Sequence, residues 1–156
     1  MINLVPLTER DFAPFGTVAA LARGRMRFGL VDELQNLRAP ARPHLDFATL
    51  AMKPLPLDAT LMERHATSSQ SFVPIDAAAY LVLVAPAAAD GGPDMARARG
   101  FVAAPDQSVT YRANVWHHPG TALERDGLFA IFTFRAGDDA DTEFSTLPAP
   151  VRVLGP

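Results

Sequence analysis

The sequence predicts an all-β domain with minor helix, built as a sandwich or a small barrel. Two observations carry that expectation. Ten glycines and 14 prolines punctuate the chain, and the stretches between them are mostly short, apolar and rich in residues that favour sheets. Convincing helical periodicity is nearly absent, so layered strands are the economical way to bury the apolar residues.

Taken in order, Leu7-Thr8-Glu9-Arg10-Asp11-Phe12 reads as a short helix before Pro14-Phe15-Gly16, with Thr8 and Asp11 spaced as a variant capping box. Two apolar-rich strands, Asp46 to Met52 and Leu57 to His65, flank Lys53-Pro54-Leu55-Pro56. Phe72 to Ile75 and Ala79 to Val84 follow as strands. Ala85 to Asp90 leads into the Gly91-Gly92-Pro93 loop, and Pro93 to Ala98 begins a second short helix. Gly100 to Ala103, Gln107 to Tyr111, Val115 to His118 and Leu128 to Arg135 complete the strand series. Val151 to Leu154, after Pro148-Ala149-Pro150, is expected as a final edge strand. With no internal repeat and no linker, residues 1–156 read as a single domain.

Composition narrows the class of function. A chain of 156 residues suits one well-buried core. The net charge of -3 offers no basic field for a nucleic-acid backbone. No apolar run approaches the ~20 residues of a membrane span, and Met1-Ile2-Asn3-Leu4 lacks the basic start of a secretion signal. Zero cysteines exclude disulfides and thiolate chemistry. The expectation is a cytoplasmic domain with no nucleic-acid or membrane partner.

Three of the four histidines fall in two short pieces, Glu63-Arg64-His65-Ala66-Thr67-Ser68-Ser69-Gln70 and Val115-Trp116-His117-His118-Pro119. On an extended strand Glu63 and His65 leave the same face. Two ionisable groups pointing into a barrel are costly unless paired, hydrogen-bonded or metal-bound; the alternative is that they lie on a solvated face. In the second piece, Arg112-Ala113-Asn114 reads as a turn that feeds a strand carrying two imidazoles. Imidazole is the side chain best matched to proton transfer and divalent-metal binding near neutral pH. His44, outside both pieces, reads as incidental.

The order Glu63-x-His65, Gln70, then a later His117 resembles the cupin metal motif. There, His-x-His and a Glu five residues on are completed by a His after a Pro-x-Gly turn. By that resemblance Glu63 stands at the first His, His65 at the second, Gln70 at the Glu and His117 at the last, which implies a divalent metal held by Glu63, His65, Gln70 and His117. It also implies an antiparallel jelly-roll barrel.

More narrowly, the chain resembles the ureidoglycolate lyase family. The likeness runs through Val5-Pro6-Leu7, Phe12-Ala13-Pro14-Phe15-Gly16, Leu55-Pro56-Leu57, Glu63-Arg64-His65 and Ser69-Gln70-Ser71-Phe72-Val73-Pro74. It continues through Val82-Leu83-Val84-Ala85-Pro86, Gln107 to Arg112 and Val115-Trp116-His117-His118-Pro119. It implies a homodimeric cupin enzyme that splits ureidoglycolate into glyoxylate and urea in allantoin breakdown, with nickel as the associated metal. Departures from the family pattern fall at Arg27-Phe28 in place of an Asn pair, Thr49 for an arginine, Thr110 for an asparagine, and Phe134 for the Asp before Arg135.

Under this reading His65, His117 and His118 are the catalytic candidates. Arg112 is the expected bidentate clamp for the substrate carboxylate, with Arg135 second and Tyr111 and Trp116 beside it; for each arginine the alternative is a solvated surface charge. The lost polar groups keep two other readings open: a cupin acting on another small carboxylic acid, and a binding domain without catalysis.

Overall fold

The computed structural model describes residues 1–20 and 34–156, and Arg27-Phe28 lies outside them. Twelve strands are described: β1 Ile2–Pro6, β2 Gly16–Ala20, β3 Arg42–Leu50, β4 Leu57–Arg64, β5 Gln70–Asp76, β6 Tyr80–Ala85, β7 Arg99–Ala103, β8 Gln107–Tyr111, β9 Trp116–His117, β10 Thr121–Ala122, β11 Gly127–Arg135 and β12 Glu143–Leu154. The one α-helix among the described residues is α1, Glu9–Phe12. Thr8 caps it by accepting from the Asp11 N–H at 3.1 Å. The Thr8 hydroxyl in turn donates to the Asp11 carboxylate at 2.7 Å, a tight form of the expected box. The second predicted helix is a single 3₁₀ turn, Met95–Arg97.

The strands form two sheets. Seven run in the order β10-β6-β7-β1-β12-β4-β9, and β9 pairs with β6 as well as β4, so this sheet closes on itself. Five run in the order β2-β8-β5-β11-β3. The two sheets share β6 energetically. Its continuous run Tyr80-Leu81-Val82-Leu83-Val84-Ala85 is buried on both faces. Tyr80, Val82 and Val84 join Phe12, Phe72, Phe101, Tyr111, Phe129 and Ile131 between the sheets. Leu81, Leu83 and Ala85 face the other way, into a second core with Leu4, Met62, Trp116, Leu147 and Val153. Fully burying a Phe or Leu side chain contributes about 1.5–3 kcal/mol, so these two clusters fix the sheet registers.

Two expectations are corrected here. The barrel is mixed rather than wholly antiparallel, because β1 runs parallel to both β7 and β12. Docking β1 there buries Leu4 against Gly100, where a Cβ would come within 2.7 Å of the Leu4 side chain. Val151 to Leu154 is not an edge: it ends a 12-residue strand held between β1 and β4, with Val153 fully buried. The Pro148-Ala149-Pro150 stretch makes only a register shift within it. The strands flanking Lys53 to Pro56 belong to different sheets, β3 pairing with β11 and β4 with β12.

Close backbone approach and one turn deliver the chain to the site. A Cβ on Gly16 would sit 1.9 Å from the Thr110 carbonyl, so only glycine lets β2 pack on β8. Asn114 adopts φ 70° in the turn before β9, a left-handed conformation that Asn tolerates well. Its N–H donates to the His65 carbonyl at 2.8 Å, tying the two histidine segments together.

Candidate metal and active site

Alternation along β4 decides which side chains enter the space between the sheets. Met62 turns into the second core, so Glu63 and His65 turn toward the five-stranded sheet. The same rule on β9 sends Trp116 to the second core and His117 inward. Glu63 and His117 are direct cross-strand partners. From the opposite sheet come Gln70 on β5 and Tyr111 on β8, themselves a register pair.

The distances are those of one cluster. His117 Nε2 lies 2.9 Å from Gln70 Oε1 and 3.4 Å from Glu63 Oε1. The His65 and His117 rings are 5.7 Å apart, and Tyr111 stacks on His117 at 4.2 Å with the rings nearly parallel. Ligand atoms of Glu63, His65 and His117 all lie within 4.8 Å of one another.

Backbone carbonyls fix the tautomers. His65 Nδ1 faces the Asp141 carbonyl at 2.8 Å, His117 Nδ1 that of Val115 at 2.9 Å, and His118 Nδ1 that of Pro119 at 2.8 Å. A carbonyl only accepts, so each Nδ1 carries the proton and donates. In a neutral imidazole so held, Nε2 is the ring's acceptor atom, the arrangement that orients metal-binding imidazoles. His65 Nε2 is buried and has no protein partner. Around His117 Nε2, a carboxylate and an amide oxygen converge. Two imidazole nitrogens, one carboxylate and one amide oxygen form a donor set that fits a divalent cation.

Electrostatics agree. Burial alone would raise the Glu63 carboxyl, but the His117 hydrogen bond and the nearby imidazoles outweigh it and hold it below its ordinary value. Burial, then the neighbouring His117, pulls His65 down; the Arg135 charge acts in the same direction. Burial likewise lowers His118, helped by Lys53. Burial pushes the Tyr111 hydroxyl well above its usual range, so it stays protonated. Burial thus favours the neutral forms of His65 and His118 beside the charged Glu63 carboxylate.

The remaining expected residues divide. Arg135 lies on an inward position of β11, ion-paired to Asp46 at 2.9 Å and within electrostatic reach of His65. His118 is buried beside Thr121 and senses Glu63 and His117. Arg112 is not at the site. Alternation turns Tyr111 in and Arg112 out, where its guanidinium donates to the Ala13 and Pro14 carbonyls at 2.8 and 3.3 Å. Trp116 is also turned away, donating from Nε1 to the Gly91 carbonyl beneath the Arg64 guanidinium. Tyr111 is fixed as the packing surface behind His117. Three residues escaped the sequence reading: Asp141, whose carbonyl orients His65; Lys53, the only lysine of the chain, near His118; and Thr133, an inward hydroxyl on β11. Thr133 had a signal, since it is the polar member of the inward series Phe129, Ile131, Thr133.

A sequence model of the ureidoglycolate lyase family matches residues 1–154. The chain belongs to that family. A relative from Agrobacterium fabrum (strain C58) is 37% identical over 149 residues, spanning 95% of this chain and 91% of its own. Ureidoglycolate lyases of Brucella melitensis biotype 2 and Burkholderia mallei (strain NCTC 10229) are 34% and 33% identical, covering 91% and 94% of this chain and 87% and 89% of theirs. Glu63, His65 and His117 meet at one place, and no described helix is long and apolar enough to cross a membrane.

Proposed function

We propose that this protein is a ureidoglycolate lyase, cleaving ureidoglycolate to glyoxylate and urea in purine nitrogen catabolism. Family membership over nearly the whole chain carries the reading, and the Glu63/His65/Gln70/His117 cluster supports it. Those four residues would hold a divalent cation, nickel by family resemblance. When bound, it would lower the pKa of a hydroxyl beside it and offset negative charge.

Ureidoglycolate carries a hydroxyl, a carboxylate and a urea nitrogen on one carbon. Its cleavage removes the hydroxyl proton, forms the aldehyde carbonyl, breaks the carbon–nitrogen bond and places a proton on the departing nitrogen. No water is consumed. His118, protonated at Nδ1 and held neutral by burial, is suited to take the hydroxyl proton at Nε2 and return it to the leaving nitrogen. Arg135, steadied by Asp46, takes the carboxylate role first expected of Arg112. Glu63, His65, Gln70 and His117 hold the reacting end in place, with Tyr111 bracing the His117 ring.

The proposal extends to a cytoplasmic homodimer. Its support is the outer face of the five-stranded sheet, where Leu45 and Phe47 on β3 are 57% and 66% exposed and Ile75 and Leu128 adjoin them. Such a contiguous apolar face suits an isologous contact with a second copy. Purified protein that releases urea from ureidoglycolate supports the enzymatic reading. Binding without turnover, with and without added nickel or manganese, overturns it in favour of a binding domain.

A further inference from the structure

Two buried polar side-chain atoms lack a hydrogen-bond partner among the described residues, His65 Nε2 and Thr133 Oγ1. Buried hydroxyls are satisfied in most proteins, so an orphaned one marks a place where something else completes it. The two atoms belong to one neighbourhood. Thr133, fully buried, is the direct register partner of Gln70 across β5 and β11, with Cβ atoms about 5 Å apart on the same face. Gln70 touches His117, whose ring neighbours that of His65.

The Gln70 amide is oriented by what surrounds it. Its oxygen faces His117 Nε2 beside the Glu63 carboxylate, so its NH₂ points away from that nitrogen. An amide N–H donor and an unpartnered hydroxyl therefore stand side by side on the wall opposite Glu63 and His65. A ureido group presents the matching pair, a carbonyl oxygen and an adjacent N–H. We propose that Gln70 and Thr133 form the subsite for the ureido end of the substrate, with Gln70 Nε2–H donating to the ureido carbonyl and Thr133 Oγ1 accepting from the ureido N–H. This deepens the lyase reading and rests on it. It makes Thr133 a specificity residue, selecting ureido acids over simple hydroxy acids.

The test uses the whole protein with Thr133→Val, which keeps the shape and removes the hydroxyl, and Thr133→Ser, which keeps the hydroxyl. The probes are N-carbamoylglycine, a ureido acid with no hydroxyl to expel, and glyoxylate, which has no ureido group. Thr133→Val should weaken N-carbamoylglycine about tenfold and raise KM for ureidoglycolate about tenfold, the scale of one lost hydrogen bond. Glyoxylate binding should be unchanged, and Thr133→Ser should stay near wild type. The melting temperature of Thr133→Val should hold or rise, because an unsatisfied hydroxyl has been removed. Unchanged affinity for N-carbamoylglycine, or an equal loss for both probes together with a lower melting temperature, would overturn the subsite. Wild-type protein that discriminates the probes through Thr133 yet frees no urea would overturn the lyase reading and leave the subsite standing.

Discussion

His117 Nε2 stands 2.9 Å from Gln70 Oε1, bridging two residues 47 positions apart that belong to different sheets. With the Glu63 carboxylate at 3.4 Å from the same nitrogen, three groups that can each give an electron pair to a cation meet at one point. Adding nickel to chelator-treated protein should therefore raise its melting temperature, by about 2.7 kcal/mol of stability when free metal exceeds its Kd a hundredfold. Glu63→Gln and His65→Ala should lose most of that rise. His117→Ala should lose it too, and with it about 10²–10⁴-fold in activity. Calorimetry with and without metal reads the first effect; an undiminished rise in all three variants would place the metal elsewhere.

Arg112 and Arg135 should behave oppositely. Arg112 binds two carbonyls of the segment after α1, so Arg112→Ala should leave KM within about twofold and cost about 1 kcal/mol of stability at most. Arg135→Lys should raise KM about tenfold or more, because an ammonium cannot reproduce a planar two-point clamp. Steady-state kinetics of both variants separates the roles, and a KM defect confined to Arg112 would reverse the assignment.

Acid should destabilise the metal-free protein. Burial holds His65 and His118 below their ordinary value of 6.5, so the unfolded chain binds more protons as pH falls through that value. Their contribution is full above 6.5 and declines below it. Glu63, held under its ordinary 4.5, adds to the loss at lower pH. The melting temperature of chelator-treated protein should fall steadily from pH 7.5 to pH 4.5; a rise over that range would contradict buried neutral imidazoles.

The apolar outer face gives a prediction about assembly. Phe47→Asp places a charge at the centre of the proposed contact, where it would be buried without a partner. Light scattering should report a dimer for the wild type and a monomer for the variant, while circular dichroism stays the same. A wild-type monomer at micromolar concentration would remove the dimer from the account.

Much of this architecture was legible in the sequence because strand alternation and turn chemistry are local. Gln107 to Tyr111 coincides with β8, and Asn114 turns the chain where a turn was expected. Glu63 and His65 share a face as their spacing of two requires. The misplacements share a different cause. Arg112 and Trp116 are neighbours of inward residues, and a one-residue step along a strand reverses the face, so proximity in sequence argued against proximity in space. The parallel placement of β1 and the interior position of β12 depend on Leu4, Gly100 and Val153 meeting across nearly the full length of the chain. No local pattern encodes that meeting. Thr133 was visible only as a polar interruption in an apolar inward series, and its partner Gln70 lies 63 residues away.

The most direct measurement is the product balance of purified, nickel-supplemented protein acting on ¹³C-labelled ureidoglycolate, followed by NMR. The account predicts urea and glyoxylate appearing in equal amounts, with no ammonia or carbon dioxide, since the carbon–nitrogen bond to the glycolate carbon is the one that breaks. Unchanged substrate, or ammonia and carbon dioxide in place of urea, would contradict it.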